Sequence, residues 1–289
     1  QMDAVLNINK PSGMTSFATV SRIRRLARIK RAGHAGTLDP LAAGVLIVLT
    51  GQATRIARYL EELPKEYRAV IRLGIETDTY DLAGRVTAEH PVPVLDPARI
   101  IAVLERFTGP IFQIPPMYSA LKRNGQPLYK LARRGIEVER APRPVTIMSL
   151  ALDALDGCDL IVTVRCSKGT YIRSLASDIG RALGCGSAVA GLTRLSIGPF
   201  GLDGAIDLAA ASPESLNQQA IGMNDALSFL PEAQLDESQA RAVRHGNAIT
   251  AAAAPEPGRA VRLLFGGQLL AIGKPAPPDM IQPDVVFTE

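Results

Sequence analysis

Between Gly33 and Leu49 the chain sets a single carboxylate, Asp39, in a glycine-punctuated loop that runs straight into an apolar stretch, Val45–Leu49. An uninterrupted apolar run of that length reads as a buried strand, so the loop before it lies at the mouth of a core sheet. Glycines at 33, 36 and 44 permit a turn or a close backbone approach that a side chain would block. Pro40 fixes its own φ and biases Asp39 towards an extended conformation. A carboxylate held there can act as a nucleophile or as an acid/base. It can equally cap or turn the loop, and one carboxylate does not choose between these roles.

The flanking segments supply the framework. Residues 5–9 read as a strand stopped by Lys10-Pro11-Ser12-Gly13, and a helix follows with Thr15 or Ser16 as N-cap and Phe17, Val20, Ile23 and Ala27 along one face. Arg22, Arg24, Arg25, Arg28, Lys30 and Arg31 crowd its other side and its exit without an intervening acid. Such a run repels itself, and reads either as a solvated face or as a phosphate contact. Residues 54–63 suggest a helix closed by Pro64. Lys65–Leu73 alternates strictly, with Tyr67, Ala69, Ile71 and Leu73 on one face of a strand. Asp96-Pro97 open a helix carrying Ile100, Ile101, Leu104 and Phe107. Two neighbouring strands, 145–152 and 160–166, precede a helix that begins at Gly169-Thr170, runs through Ile172, Leu175, Ala176, Ile179 and Leu183, and ends at Gly184. A further strand covers 188–197.

Residues 113–140 differ in character. Lys122, Arg123, Lys130, Arg133, Arg134 and Arg140 alternate with Tyr118 and Tyr129, around a short helix near 129–134. That composition suits nucleic-acid contact or a solvated excursion. Periodicity fades between 205 and 232. The tail then reads as a helix at 237–244 and strands at 260–264, 269–272 and 285–287, a marginal domain by itself that is expected to pack on the first.

Composition narrows the classes. A sequence pI near 9.1 with a net charge of +4 leans towards a polyanionic partner. Cys158, Cys166 and Cys185 form no CxxC pair and the three histidines are scattered, so neither a disulfide framework nor a metal site is expected, and a reducing cytoplasm fits. There is no membrane-length apolar run, P-loop, GxGxxG or GxSxG pattern, and no signal peptide is expected.

Six ordered stretches carry a more specific message. They are Lys10-Pro11-Ser12-Gly13-Met14-Thr15-Ser16, Gly33-His34-Ala35-Gly36-Thr37-Leu38-Asp39-Pro40 through Leu46, Lys65-Glu66-Tyr67-Arg68, Leu73-Gly74 through Asp81, Cys166-Ser167-Lys168-Gly169-Thr170-Tyr171-Ile172-Arg173, and Gly191-Leu192-Thr193-Arg194 through Gly198. Together they strongly resemble the motifs of the TruB-type tRNA pseudouridine synthases. More weakly, Arg244-His245-Gly246 with 269–273 and 282–287 resembles a PUA-type RNA-binding module.

The resemblance implies an α+β protein with the pseudouridine synthase fold, built on a mixed, largely antiparallel sheet. A catalytic domain would span 1–232, with 113–140 as an RNA-binding insertion, and a PUA-like RNA-binding β module would span 233–289. The implied activity is isomerisation of uridine 55 in the tRNA T-loop to pseudouridine, by base flipping and without a cofactor. Asp39 is the implied catalytic carboxylate, attacking C1′ or C6 or taking H2′. Arg173 would orient it, and Tyr171 would handle the C5 proton and touch the base edge. Tyr67 would stack on the flipped base, Leu192 would line the uracil pocket, and His34 and Asp81 would contact substrate. Lys10, Arg55, Lys122 and Lys130 are the implied RNA contacts; Arg55 stands where many relatives carry Lys. The tRNA T-arm is the implied partner of a cytoplasmic monomer that needs neither membrane nor obligatory protein partner.

Overall fold

The computed structural model describes residues 2–119, 121–123, 125–132, 134–136, 138–250, 256 and 258–287. β1 (Val5–Lys10) leads into α1 (Ser16–Leu26), which starts where the Thr15 side chain accepts a hydrogen bond from the Ala18 amide. The inward face of α1 is Ser16, Thr19, Val20 and Ile23, and Phe17, expected inside, is 75% exposed. The stripe can rotate onto two hydroxyls because both are satisfied internally, Ser16 by the Leu38 peptide and Thr19 by the Thr15 carbonyl. β2 (Ala32–Ala35) pairs antiparallel with β3 (Ala43–Thr50), so the Asp39 loop is the connection of a hairpin.

The helix expected over 54–63 is instead a 3₁₀ turn, Gly51–Ile56, followed by α2 (Ala57–Glu61). Ala53, Ile56 and Tyr59 are buried at a spacing of three, the period that a 3₁₀ turn eclipses. β4 (Lys65–Leu73) alternates as read, with Tyr67, Ala69, Ile71 and Leu73 inward. The β5 (Ile75–Thr77) and β6 (Val86–Glu89) hairpin holds the polar loop 78–85 beside the sheet. α3 (Pro97–Glu105) is capped by Asp96 and buries Ile100, Val103 and Leu104, leaving Ile101 exposed.

After β7 (Gly109–Gln113), the basic segment forms a two-stranded ribbon, β8 (Lys122–Arg123) with β9 (Gln126–Pro127), and one helical turn and a half, α4 (Leu128–Ala132). β10 (Arg143–Asp156) and β11 (Asp159–Cys166) make a hairpin, then α5 (Ile172–Leu183) ends on left-handed Gly184. β12 (Ser187–Ile197), β13 (Phe200–Gly201) and β14 (Ile206–Asp207) complete a ten-stranded sheet. Its order is β14-β1-β3-β12-β4-β11-β10-β7, with β2 on β3 and β13 on β12. Only β1–β14 and β3–β12 run parallel, so the sheet is mixed and largely antiparallel. β12 lies between β3 and β4, which brings together residues distant in sequence at the centre of the sheet.

α6 (Pro213–Gln218) and α7 (Met223–Ala226) lead to a five-stranded sheet of order β15-β17-β18-β19-β16. Its parts are β15 (Glu232–Gln234), α8 (Glu237–Arg244), β16 (Ile249–Thr250), β17 (Val261–Phe265), β18 (Gln268–Ala276) and β19 (Met280–Val286). Ile272, Val285 and Phe287 share one apolar core with Val5, Ile47, Leu49, Ile56 and Leu60. Tyr59 donates to Asp284 at 2.6 Å, and Arg58 pairs with the same carboxylate. No helix among the described residues is long and apolar enough to cross a membrane.

Candidate active site

The Asp39 loop is fastened from both sides. On one side Ser16 Oγ accepts from the Leu38 amide and donates to the Leu38 carbonyl, each at 2.9 Å. The Gly13 amide donates to the Pro40 carbonyl at 2.7 Å and Ser12 Oγ to the Leu41 carbonyl at 2.6 Å. On the other side the buried Arg194 donates to the carbonyls of Val45 at 2.7 Å, Gly36 at 3.1 Å and Thr37 at 3.3 Å. Gly44 is obligatory here: its φ is +101°, and a Cβ would lie 2.2 Å from the Arg194 carbonyl oxygen.

Lys10, expected at the RNA, is fully buried. Its ammonium donates to the carbonyls of Met14 at 2.6 Å and Pro11 at 2.8 Å, and burial, with Arg194 nearby, lowers its pKa to about 8. A cation enclosed by carbonyls braces the 10–16 segment and presents nothing to a phosphate. Arg55 is likewise redirected. It donates to the Val286 carbonyl and lies 5.6 Å from the Phe287 ring centroid, which ties the tail to the first sheet. Lys130 is exposed on α4; Lys122 lies in β8, and its side chain is outside the described set.

Asp39 meets Arg173 from the start of α5, Nε to Oδ2 at 2.7 Å. The remaining guanidinium nitrogens donate to the Thr79 carbonyl at 2.9 Å and the Tyr118 carbonyl at 2.8 Å. Arg173 is 4% exposed, while the Asp39 side chain stays 34% exposed: the cation is fixed and the carboxylate reaches the cavity. A positive charge in a helix's first turn opposes the helix dipole, and here Asp39 and Asp81 offset it, the latter 3.7 Å from Arg173. Asp81 accepts from Thr79 Oγ1 at 2.8 Å and the Ala83 amide at 3.1 Å, and its charge lies behind Arg173 rather than in the cavity wall.

The cavity, about 400 Å³, is walled by Asp39, Tyr67, Tyr171, Ile172, Arg173 and Leu192, among others. Tyr67 comes from β4 and Leu192 from β12, adjacent strands of the sheet centre. Tyr67 Oη accepts from Arg194 at 3.4 Å, and the guanidinium lies 5.9 Å from the ring centroid. Tyr171 is held by its backbone, its amide donating to Gln113 Oε1 at 2.9 Å and its carbonyl accepting from Gln113 Nε2 at 3.2 Å. Burial raises the pKa of both phenols, which keeps them neutral and hydrogen-bonding near pH 7.

His34 is not brought into this wall. It lies half-buried on β2 opposite Val48, its Nδ1 enclosed without a partner, and burial lowers its pKa. Two cations of the site went unassigned in the sequence. Arg194 shares the inward face of β12 with Leu192, and Lys65 shares that of β4 with Tyr67. Lys65 donates to the Leu63 carbonyl at 2.7 Å, and burial followed by Arg194 lowers its pKa to about 8. Period-two alternation was the signal that could have placed both.

A cavity that sets two aromatic rings and Leu192 beside an arginine-oriented carboxylate, with Lys65 and Arg194 also in its wall, can take a planar heterocycle withdrawn from its stack. Among the described residues no cluster of His, Cys, Asp or Glu could hold a metal ion.

Residues 24–172 match the TruB family pseudouridylate synthase N-terminal domain, and residues 231–287 match the pseudouridine synthase II TruB C-terminal family. The chain is 47% identical to the tRNA pseudouridine synthase B of Azoarcus sp. (strain BH72), over 94% of this chain and 91% of that protein. It is 43% identical to the tRNA pseudouridine synthase B of Dechloromonas aromatica (strain RCB), over 98% and 95%. Among solved structures it is similar to a chain of a Cbf5-Nop10-Gar1 complex, with a TM-score of 0.77 and 27% identity over 99% of this chain and 85% of that one. The chain belongs to the TruB family of pseudouridylate synthases.

Proposed function

We propose that this chain isomerises uridine 55 of the tRNA T-loop to pseudouridine, acting alone and without a cofactor. The observation that carries the reading is the Asp39–Arg173 pair at the edge of the Tyr67, Tyr171 and Leu192 slot. The reaction breaks the N1–C1′ bond, forms C5–C1′, removes the C5 proton and protonates N1, so it needs no external oxidant, reductant or group donor. Tyr67 stacks on the flipped uracil and Leu192 packs against it. Asp39, kept in place by Arg173, is the reacting carboxylate, at C1′, C6 or H2′. Tyr171, a neutral phenol, faces the base edge and mediates loss of the C5 proton.

Residues 1–232 form the catalytic domain in this reading, with 113–140 and 233–289 adding RNA contacts, exposed Lys130 among them. Free cysteines fit the reducing cytoplasm where a monomer would meet tRNA. The test is incubation of the purified protein alone with unmodified tRNA transcript, followed by mapping of pseudouridine. Product at the T-loop position is expected. A folded protein that yields none, or yields it elsewhere, overturns the reading.

A further inference from the structure

α1 carries side chains that the catalytic cavity does not explain. Phe17 leaves 75% of its surface in water, although the same helix has an inward face that could have taken it. Arg24, seven residues on, lies along the same helical stripe, and Arg25 follows it. Arg28, Lys30 and Arg31 continue on the connection to β2, and all five cations are exposed. None has an ionic partner among the described residues.

The helix dipole favours Arg24 and Arg25 in the last turn but does not reach Lys30 or Arg31. Arg28 has φ +53°, a left-handed position after a helix where glycine is the usual occupant, yet a long cation stands there. The patch adjoins the site: Ser16, the neighbour of Phe17, holds the Leu38 peptide next to Asp39.

An exposed ring on the same helix as unpaired cations, about 10 Å along its axis from Arg24, matches a stretch of unpaired RNA, one base stacking on the ring while neighbouring phosphates meet the guanidinium groups. We infer that Phe17, with Arg24, Arg25 and Arg28, is a stacking platform for an unpaired loop base of the RNA near the reacting uridine. The inference rests on the proposed RNA substrate and adds to it a surface outside the cavity.

Fluorescence anisotropy with a labelled T-arm stem-loop RNA tests it. Phe17→Ala is expected to raise Kd about five- to tenfold. Phe17→Tyr should restore wild-type binding and Phe17→Leu should not. Arg24→Gln combined with Arg28→Gln should flatten the dependence of log Kd on log salt by about one and a half units. Unchanged Kd for Phe17→Ala overturns the platform, and so does full rescue by Phe17→Leu, which would leave apolar contact without stacking. Wild-type conversion of the same RNA checks the proposed function separately, so either idea can fail without the other.

Discussion

Arg173 spends three nitrogens on three different acceptors, Asp39 and the carbonyls of Thr79 and Tyr118. Only a planar guanidinium spans that geometry, so Arg173→Lys keeps the charge and loses the frame. The expected result is a fall in kcat of about a hundredfold, from misplacement of Asp39, with T-arm binding within a few fold of wild type. His34 makes a separate prediction. Burial lowers its pKa below the ordinary 6.5, so the unfolded chain binds more protons between the lowered value and 6.5. Stability is therefore complete above about pH 6.5 and falls as pH drops through that window. Melting temperatures between pH 5 and 7.5 should show the loss, and His34→Gln should reduce it; an equal loss in the variant would refute the assignment. At this scale Tyr67 was readable because its neighbours alternate, and Arg173 because its motif is long. Lys10 and Arg55 were not, since a cation at the last position of a strand or in a 3₁₀ turn carries no mark of whether carbonyls or solvent will surround it.

The elements that count for the site are those that hold the Asp39 loop. Ser16→Ala would leave the amide and carbonyl of buried Leu38 without partners, at a cost of about 2 kcal/mol. Urea unfolding should show that loss, and kcat should fall about tenfold as the loop loosens; unchanged kcat would mean the clamp is structural only. Strands and helices with strong periodicity were legible: β4 falls where alternation puts it, and α5 where Ile172, Leu175, Ile179 and Leu183 lie at helical spacing. The 3₁₀ turn before α2 was not, because Ala53, Ile56, Leu60 and Leu63 are buried at a spacing that a continuous helix would also give. β2 was hidden by its brevity and its glycine, and its existence depends on pairing with β3. Which stripe of α1 turns inward was decided by the Leu38 peptide, far away in sequence.

For the whole molecule, the two sheets share apolar residues. Ile272, Val285 and Phe287 pack with Ile47, Leu49 and Ile56, and Arg58 and Tyr59 converge on Asp284. Calorimetry is therefore expected to show one cooperative transition for the full chain, and two resolved transitions would contradict this coupling. Tyr59→Phe should lower the melting temperature by about 2 °C through loss of one hydrogen bond across the contact. The order of strands in the main sheet, with β12 between β3 and β4, could not be read from local pattern because it joins segments more than a hundred residues apart. It is that long-range pairing that sets Tyr67 opposite Arg194 and diagonal to Leu192, all three in the cavity that Asp39 lines. The most direct measurement is release of tritium from a T-arm RNA labelled at C5 of its uridines, since forming C5–C1′ expels that hydrogen. Wild-type protein should release the label from the one reacting uridine of each RNA, and Asp39→Asn should bind the same RNA and release none. Release by Asp39→Asn at the wild-type level would contradict the central role of this carboxylate.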